Sequence, residues 1–149
     1  MLICGTVFSQ PKQLKNFDEL LTALNRGENV RTIIHYAKCT LIWDNEVQEK
    51  SPDAISGLNI ETYEYFARKA VRNNEEAFLV FSTNHFIQNP KGKGYVYNYG
   101  KIRVDENDSI KITVSYVEPI TLEETMTEKF FTTINNGKND GGVFFYLQD

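Results

Sequence analysis

The stretch VRTIIHYAKCTLIW, from Val30 to Trp43, alternates with a period of two and then changes phase. Successive side chains of a strand point to opposite faces, so Val30, Thr32, Ile34 and Tyr36 share one face and Arg31, Ile33 and His35 the other. From Cys39 onward the apolar set is Cys39, Leu41 and Trp43, while Lys38, Thr40 and Asp44 point away. A change of phase within one run forces a bulge or bend near Ala37–Lys38. Cys39 then opens the inward row of the second half.

The segment before this run has helical spacing. Asn16 is placed to cap a helix, and Glu19 stands three residues on, as in a capping box. Phe17, Leu20, Leu21 and Leu24 form one apolar face, and Gly27 supplies the stop. A helix of about ten residues is marginal alone, so this face must dock on a sheet.

Beyond Trp43 the chain reads as strands and turns. DNEVQEKSPDAISG is a polar loop, and LNIETYEYFARKAV leans to strand on its β-branched and aromatic content. AFLVFSTNHFI reads as a central strand, followed by a turn at NPKGKG. GYVYNYGKIRV and SIKITVSYV form a hairpin about DENDS, and Pro119 ends its second strand. MTEKFFTTI and VFFYL, flanking NNGKNDGG, read as a closing hairpin with a long loop. The expected fold is α+β and mainly antiparallel: one N-terminal helix docked on a curved sheet of about seven strands, with a barrel-like closure as one option.

Composition narrows the function. Ten Phe, eight Tyr and one Trp suit strands and core packing. The net charge is −4, and the sixteen Lys and Arg are scattered with no run beyond two, so nucleic acid is not an expected partner. No apolar run is long enough to span a bilayer. The opening MLICGTVFSQ reads in two ways. It resembles the tail of a secretory signal, with Val7 and Ser9 as the small residues before a cut at Ser9–Gln10; otherwise it is a short strand. If it is kept, Cys4 and Cys39 can pair in an oxidising compartment; if it is cut, Cys39 is the sole cysteine.

No catalytic constellation assembles. Cys39 lies four residues from His35, about 13 Å along an unbroken strand, so the expectation is a buried structural thiol rather than an activated nucleophile. His35 and His85 lack a second ligand at zinc spacing. Asp105, Asn107 and Ser109 imitate the start of a calcium loop, but Ile110 stands where the glycine belongs and Tyr116 where the glutamate does. NNGKNDGG opens a strand, not the helix a phosphate loop requires. Glu123–Glu124 read as a solvated pair. No metal, cofactor or enzymatic activity is expected. The feature with binding potential is aromatic: Tyr95, Tyr97 and Tyr99 share a strand face, and Tyr116 aligns with the apolar row of the next strand. The competing reading is ordinary cross-strand packing. The loop at 135–142 joins the tyrosines as an expected contact surface.

The pieces VRTIIHYAKCTL, DAISGLNIETYEYF, GYVYNYGKIRV, DSIKITVSYVEPIT and FFTTINNGKNDGGVFFY, in this order, resemble the bacterial VirK family. The ordered set carries the resemblance; no single piece is a catalytic signature. It implies a small exported protein, periplasmic or secreted, associated with virulence, and no activity or cofactor. The resemblance implies a second cysteine near FFTT, where this chain has Thr132 and Thr133, so the disulfide partner that the resemblance implies for Cys39 is missing. The organisation that follows is a signal-peptide remnant at 1–9 and a single VirK-like domain over 10–149. The expected role is that of a non-enzymatic binding or accessory protein whose partner is another protein. The alternative is a small lipocalin-like barrel carrying an apolar ligand. Mass spectrometry of the protein from its own host is expected to find Gln10 or a near neighbour at the N-terminus; intact residues 1–9 in a cytosolic fraction would refute export.

Overall fold

The computed structural model describes residues 10–148; the expected signal remnant at 1–9 lies outside them. The elements are β1 (Gln13–Leu14), α1 (Phe17–Asn25), β2 (Val30–His35), β3 (Thr40–Trp43), β4 (Glu46–Val47), β5 (Ile55–Asn59), β6 (Glu64–Phe66), β7 (Phe78–Gln88), β8 (Tyr95–Asp105), β9 (Ser109–Val117), β10 (Glu124–Thr133) and β11 (Val143–Leu147). They form a seven-stranded sheet, β4-β3-β10-β9-β8-β7-β6, and a four-stranded sheet, β1-β11-β2-β5. All the strand pairs are antiparallel.

The phase change at Ala37–Lys38 is a 3-10 turn, Tyr36–Lys38, that carries the chain from the smaller sheet to the larger. Val30, Thr32 and Ile34 are buried before it, and Cys39 and Leu41 after it. Trp43, expected in the same inward row, is instead 52% exposed, because the smaller sheet does not extend over that end. Its ring meets Lys91 Nζ at 5.9 Å, across from the β7–β8 turn. Through the ladder Trp43 lies level with Gly100 and Thr83, three strand spacings (about 14 Å) from β8 and about 20 Å short of the turn along the strands, so this contact records a strong curl. The curl does not become a barrel: the larger sheet ends on β4 and β6, and the two sheets stay separate.

α1 follows its sequence closely. Asn16 Oδ1 accepts from the backbone N–H of Glu19 at 2.9 Å, and the Glu19 carboxylate accepts from the backbone N–H of Lys15 at 2.8 Å. At the other end Glu28 N–H reaches Ala23 O and Gly27 N–H reaches Leu24 O, a Schellman closure that needs the positive φ of Gly27 at +75°. Phe17, Leu20, Ala23 and Leu24 are buried, while Leu21 is only half-buried at the margin of the face. These side chains join one core cluster with Phe81, Ile102, Ile112, Phe130 and Phe145 from the sheets.

The strand pattern departs from the expected one in several places, and β5 begins at Ile55 inside the segment read as loop. DNEV, read as loop, begins with a tight hairpin: Asp44 and Asn45 adopt φ of 51° and 61°, the left-handed pair that a two-residue turn requires. AFLVFSTNHFI is not central along its length, since β6 covers only Phe78–Val80 and leaves the rest of β7 at an edge. The expected closing hairpin does not form. β10 pairs β9 and β3, whereas β11 pairs β2 and β1, so residues 135–142 cross between sheets. The GYVYNYGKIRV–SIKITVSYV hairpin forms as read, with eleven- and nine-residue strands.

Asp108, in that hairpin's turn, ties three elements together. Its carboxylate accepts from the backbone N–H of Phe17 at 2.7 Å, at the positive end of the α1 dipole. Its carbonyl accepts from the N–H of Ile134 at 3.0 Å. Asp108→Ala is expected to lower stability by about 1–2 kcal/mol in denaturant unfolding and to speed amide exchange in the first turn of α1.

Candidate functional site

Cross-strand partners lie on one face of a sheet, and this rule divides the four tyrosines. Tyr97 pairs Phe86 and Val117, and Tyr99 pairs Asn84 and Ser115, all on the outer face. Tyr116 pairs Asn98, in the alternation that carries Ile102, Ile110 and Ile112, so it lies on the opposite, core-side face. The structure therefore brings Tyr95, Tyr97 and Tyr99 together and separates Tyr116 from them.

Phe86 completes the cluster. Its ring stacks on Tyr95 at 5.2 Å with an interplanar angle of 17°, and meets Tyr97 at 5.3 Å. Phe86 and Tyr95 are each 59% exposed. The β9–β10 loop leaves the sheet at the same end, where Ile120 and Leu122 are 89% and 68% exposed. Its form is held by Glu118, whose carboxylate accepts from the backbone N–H groups of Ile120 and Thr121, which holds the Glu118 carboxyl below its ordinary range. The alternation in AFLVFSTNHFI could have flagged Phe86; nothing local marked its stacking on Tyr95.

The loop at 135–142 is remote from this cluster. β10 delivers it beside Ser109, eight residues along β9 from Val117, which is roughly 27 Å. The loop is also more ordered than its composition suggests. Asn135 donates to Gly141 O, Asn139 donates to Ile134 O, and Asn136 accepts from the N–H groups of Lys138 and Asn139. It connects the sheets and, contrary to expectation, shares no surface with the tyrosines.

Cys39 lies under that loop. A Cβ on Gly142 would come within 2.9 Å of Cys39 Sγ and 3.0 Å of Thr132 Oγ1, so the glycine permits the close approach. The thiol donates to His35 O at 3.5 Å, while the His35 ring packs on Phe144 at 5.1 Å. Burial pushes the thiol above its ordinary pKa, and the Thr132 hydroxyl pulls it back in part. Thr132, one of the two threonines of FFTT, thus stands directly beside the sulfur. This is the environment of a packed thiol without a base.

The other candidates resolve as structure. Asp105 is held by Arg103 at 2.7 Å, and Asn107 Oδ1 accepts from Ser109 N–H at 2.9 Å, which makes a hairpin turn of the calcium-like segment. His85 Nε2 lies 2.9 Å from Thr83 Oγ1. Among the described residues no cluster of three His, Cys, Asp or Glu side chains is placed to hold a metal, and no helix is long and apolar enough to cross a membrane.

Comparison with known proteins places the chain. The VirK protein family matches residues 13–122. The chain belongs to the VirK family. The crystal structure of lpg1832, a VirK family protein from Legionella pneumophila, superposes with a TM-score of 0.66 at 16% identity, covering 89% of this chain and 97% of that one. At that identity the likeness speaks for the fold. No curated protein matches. The family match ends before β10, yet in this VirK chain β10 lies inside the larger sheet and β11 inside the smaller.

For Cys39 the sign of the pH dependence follows from its raised pKa. Folding favours the protonated thiol; that contribution is intact below the unfolded-state pKa and is lost as pH rises through the folded one. Native protein is therefore expected to react with iodoacetamide at least about tenfold more slowly than urea-unfolded protein at pH 8, as read by mass spectrometry. Equal rates would revive a chemical role for the sulfur.

Proposed function

We propose that this VirK chain is a non-enzymatic, exported accessory protein that binds another protein through the aromatic end of its seven-stranded sheet. The observation that carries the reading is the stacked, solvent-exposed pair Phe86–Tyr95, extended by Tyr97 and Tyr99. Stacked rings left in water at a sheet end, the end from which the loop carrying exposed Ile120 and Leu122 also leaves, offer apolar surface of the kind that protein interfaces use. Tyr116, on the core-side face, is not part of the proposed surface.

Export rests on the small-residue pattern before Gln10 and on family membership. A non-enzymatic role is favoured by the surroundings of Cys39 and by histidines committed to Phe144 and Thr83. The carrier alternative lacks support. The space between the sheets is filled by Phe81, Phe130, Phe145, Ile102 and Ile112, and the hollows that remain lie at the surface.

The test is crosslinking mass spectrometry of the mature protein in its native envelope fraction, with binding of the identified partner then measured in solution. Phe86→Ala and Tyr97→Ala are each expected to weaken that binding by at least about fivefold, an interface contribution on the order of 1 kcal/mol, while shifting Tm by less than about 3 °C. A large drop in Tm with binding unchanged would make the tyrosine face ordinary sheet packing.

A further inference from the structure

β7 is eleven residues long, but its outer neighbour β6 pairs only Phe78, Leu79 and Val80. From Ser82 to Gln88 the strand hydrogen-bonds to β8 on one side, and among the described residues no other backbone group engages it. Alternate N–H and C=O groups along this stretch therefore face outward. Proteins usually blunt such edges with charge, proline or brevity. The remaining edges are brief: two residues each in β1 and β4, three in β6 and five in β5. The open stretch of β7, Ser-Thr-Asn-His-Phe-Ile-Gln, is long and contains no Lys, Arg, Asp, Glu or Pro.

We propose that the edge of β7 from Ser82 to Gln88 receives an extended segment of a partner protein as an added antiparallel strand, and that this segment reads apolar-x-polar-x-acidic. The inference rests on the reading of the aromatic end as the contact surface, and it names the kind of partner. The added strand continues the lane of β6 in the same direction, antiparallel to β7. Where β6 leaves that lane a cleft of about 310 Å³ opens, lined by Tyr63, Ser82, Tyr99 and Lys101 among others.

The side chains beside the lane set the order. On the outer face, Phe86 stands next to Tyr97, Asn84 next to Tyr99 and Ser82 next to Lys101. A guest running antiparallel meets Phe86 first, and an apolar residue there packs on the exposed ring stacked against Tyr95. Two residues on, it meets Asn84. Two further on, it meets Ser82, whose short side chain leaves Lys101 free to reach across. Two strand spacings, about 9.6 Å, separate the guest backbone from that of Lys101, within reach of an ammonium and a carboxylate extended toward each other. Lys101 is exposed and forms no ion pair among the described residues.

A second copy of the chain fits less well. Two β7 edges paired about His85 would set Ser82 of each copy against Gln88 of the other and bring Lys101 toward the turn that holds Lys91 and Lys93. That contact is between like charges. An acidic guest meets attraction at the same place.

The test titrates the full chain, 15N-labelled, with the capped peptide Thr-Phe-Thr-Ser-Thr-Glu-Thr, alongside one version with Glu replaced by Lys and one with Ser replaced by Pro. The parent peptide is expected to shift the amide resonances of Ser82–Gln88 and slow their exchange, and the Pro version to bind about tenfold more weakly. Lys101→Glu is expected to reverse the preference between the Glu and Lys peptides, and Phe86→Ala to weaken the parent peptide about fivefold without loss of fold, since this ring is exposed. Shifts that map elsewhere, indifference to proline, or no binding at millimolar peptide would overturn the proposal. So would a dimer in sedimentation that Phe86→Lys dissociates, which would give the edge to a second copy. If the peptides fail while Tyr97→Ala still weakens the crosslinked partner, strand addition is refuted and the aromatic contact surface stands.

Discussion

The arrangement depends on one crowded corner where the two sheets meet. β2 turns into β3 there, and β10 crosses to β11. A parallel bridge joins Ile134 to Val143, and the His35 N–H donates to Gly142 O at 2.8 Å. Gly141 and Gly142 have no room for side chains: a Cβ on the first would lie 2.6 Å from Thr133 O, and on the second 2.9 Å from Cys39 Sγ. The thiol fills this junction as a small apolar group. Displacing it would loosen the register of both sheets, since each enters the corner through a strand that sits inside its own sheet.

From that corner the sheets diverge, and the larger one runs on past the smaller. The smaller sheet and α1 cover the end of the larger sheet that carries Ile102, Ile112 and Phe130, which are buried together. The other end extends past them. Trp43 is exposed on its inner face, and Phe86 and Tyr95 are exposed on its outer face. A sheet whose strands reach nine to eleven residues, packed on one whose longest strand has six, must leave part of itself uncovered. The same end also carries, on the outer face and its rim, the aromatic stack, the exposed loop aliphatics and the uncharged edge of β7.

One buried group runs against the packing. Thr32 is fully buried in β2, and among the described residues its hydroxyl has no hydrogen-bond partner. A buried hydroxyl without a partner costs on the order of 1–3 kcal/mol relative to a satisfied one. It sits beside Phe145 and Leu58 in the smaller sheet, where a valine would have the same shape. Nothing in its surroundings explains the choice of threonine.

Sequence alone determined the local pieces, because they are written in contacts between near neighbours. Asn16, Glu19 and Gly27 set the ends of α1, and the phase change at Ala37–Lys38 set the turn between sheets. Alternation named the buried faces of β2, β8 and β9 and put Tyr95, Tyr97 and Tyr99 on a common face. The order of pieces that resembles VirK was also legible, and the family match bears it out. Tertiary structure decided which strands pair. A period of two states which side chains share a face and nothing about the neighbouring strand, so β10 and β11 looked like a hairpin until their partners proved to lie in different sheets. The same gap hid the exposure of Trp43 and the stacking of Phe86 on Tyr95. Each depends on what lies across the sheet or above it, and backbone pairing between residues far apart in the chain leaves no mark on either strand alone.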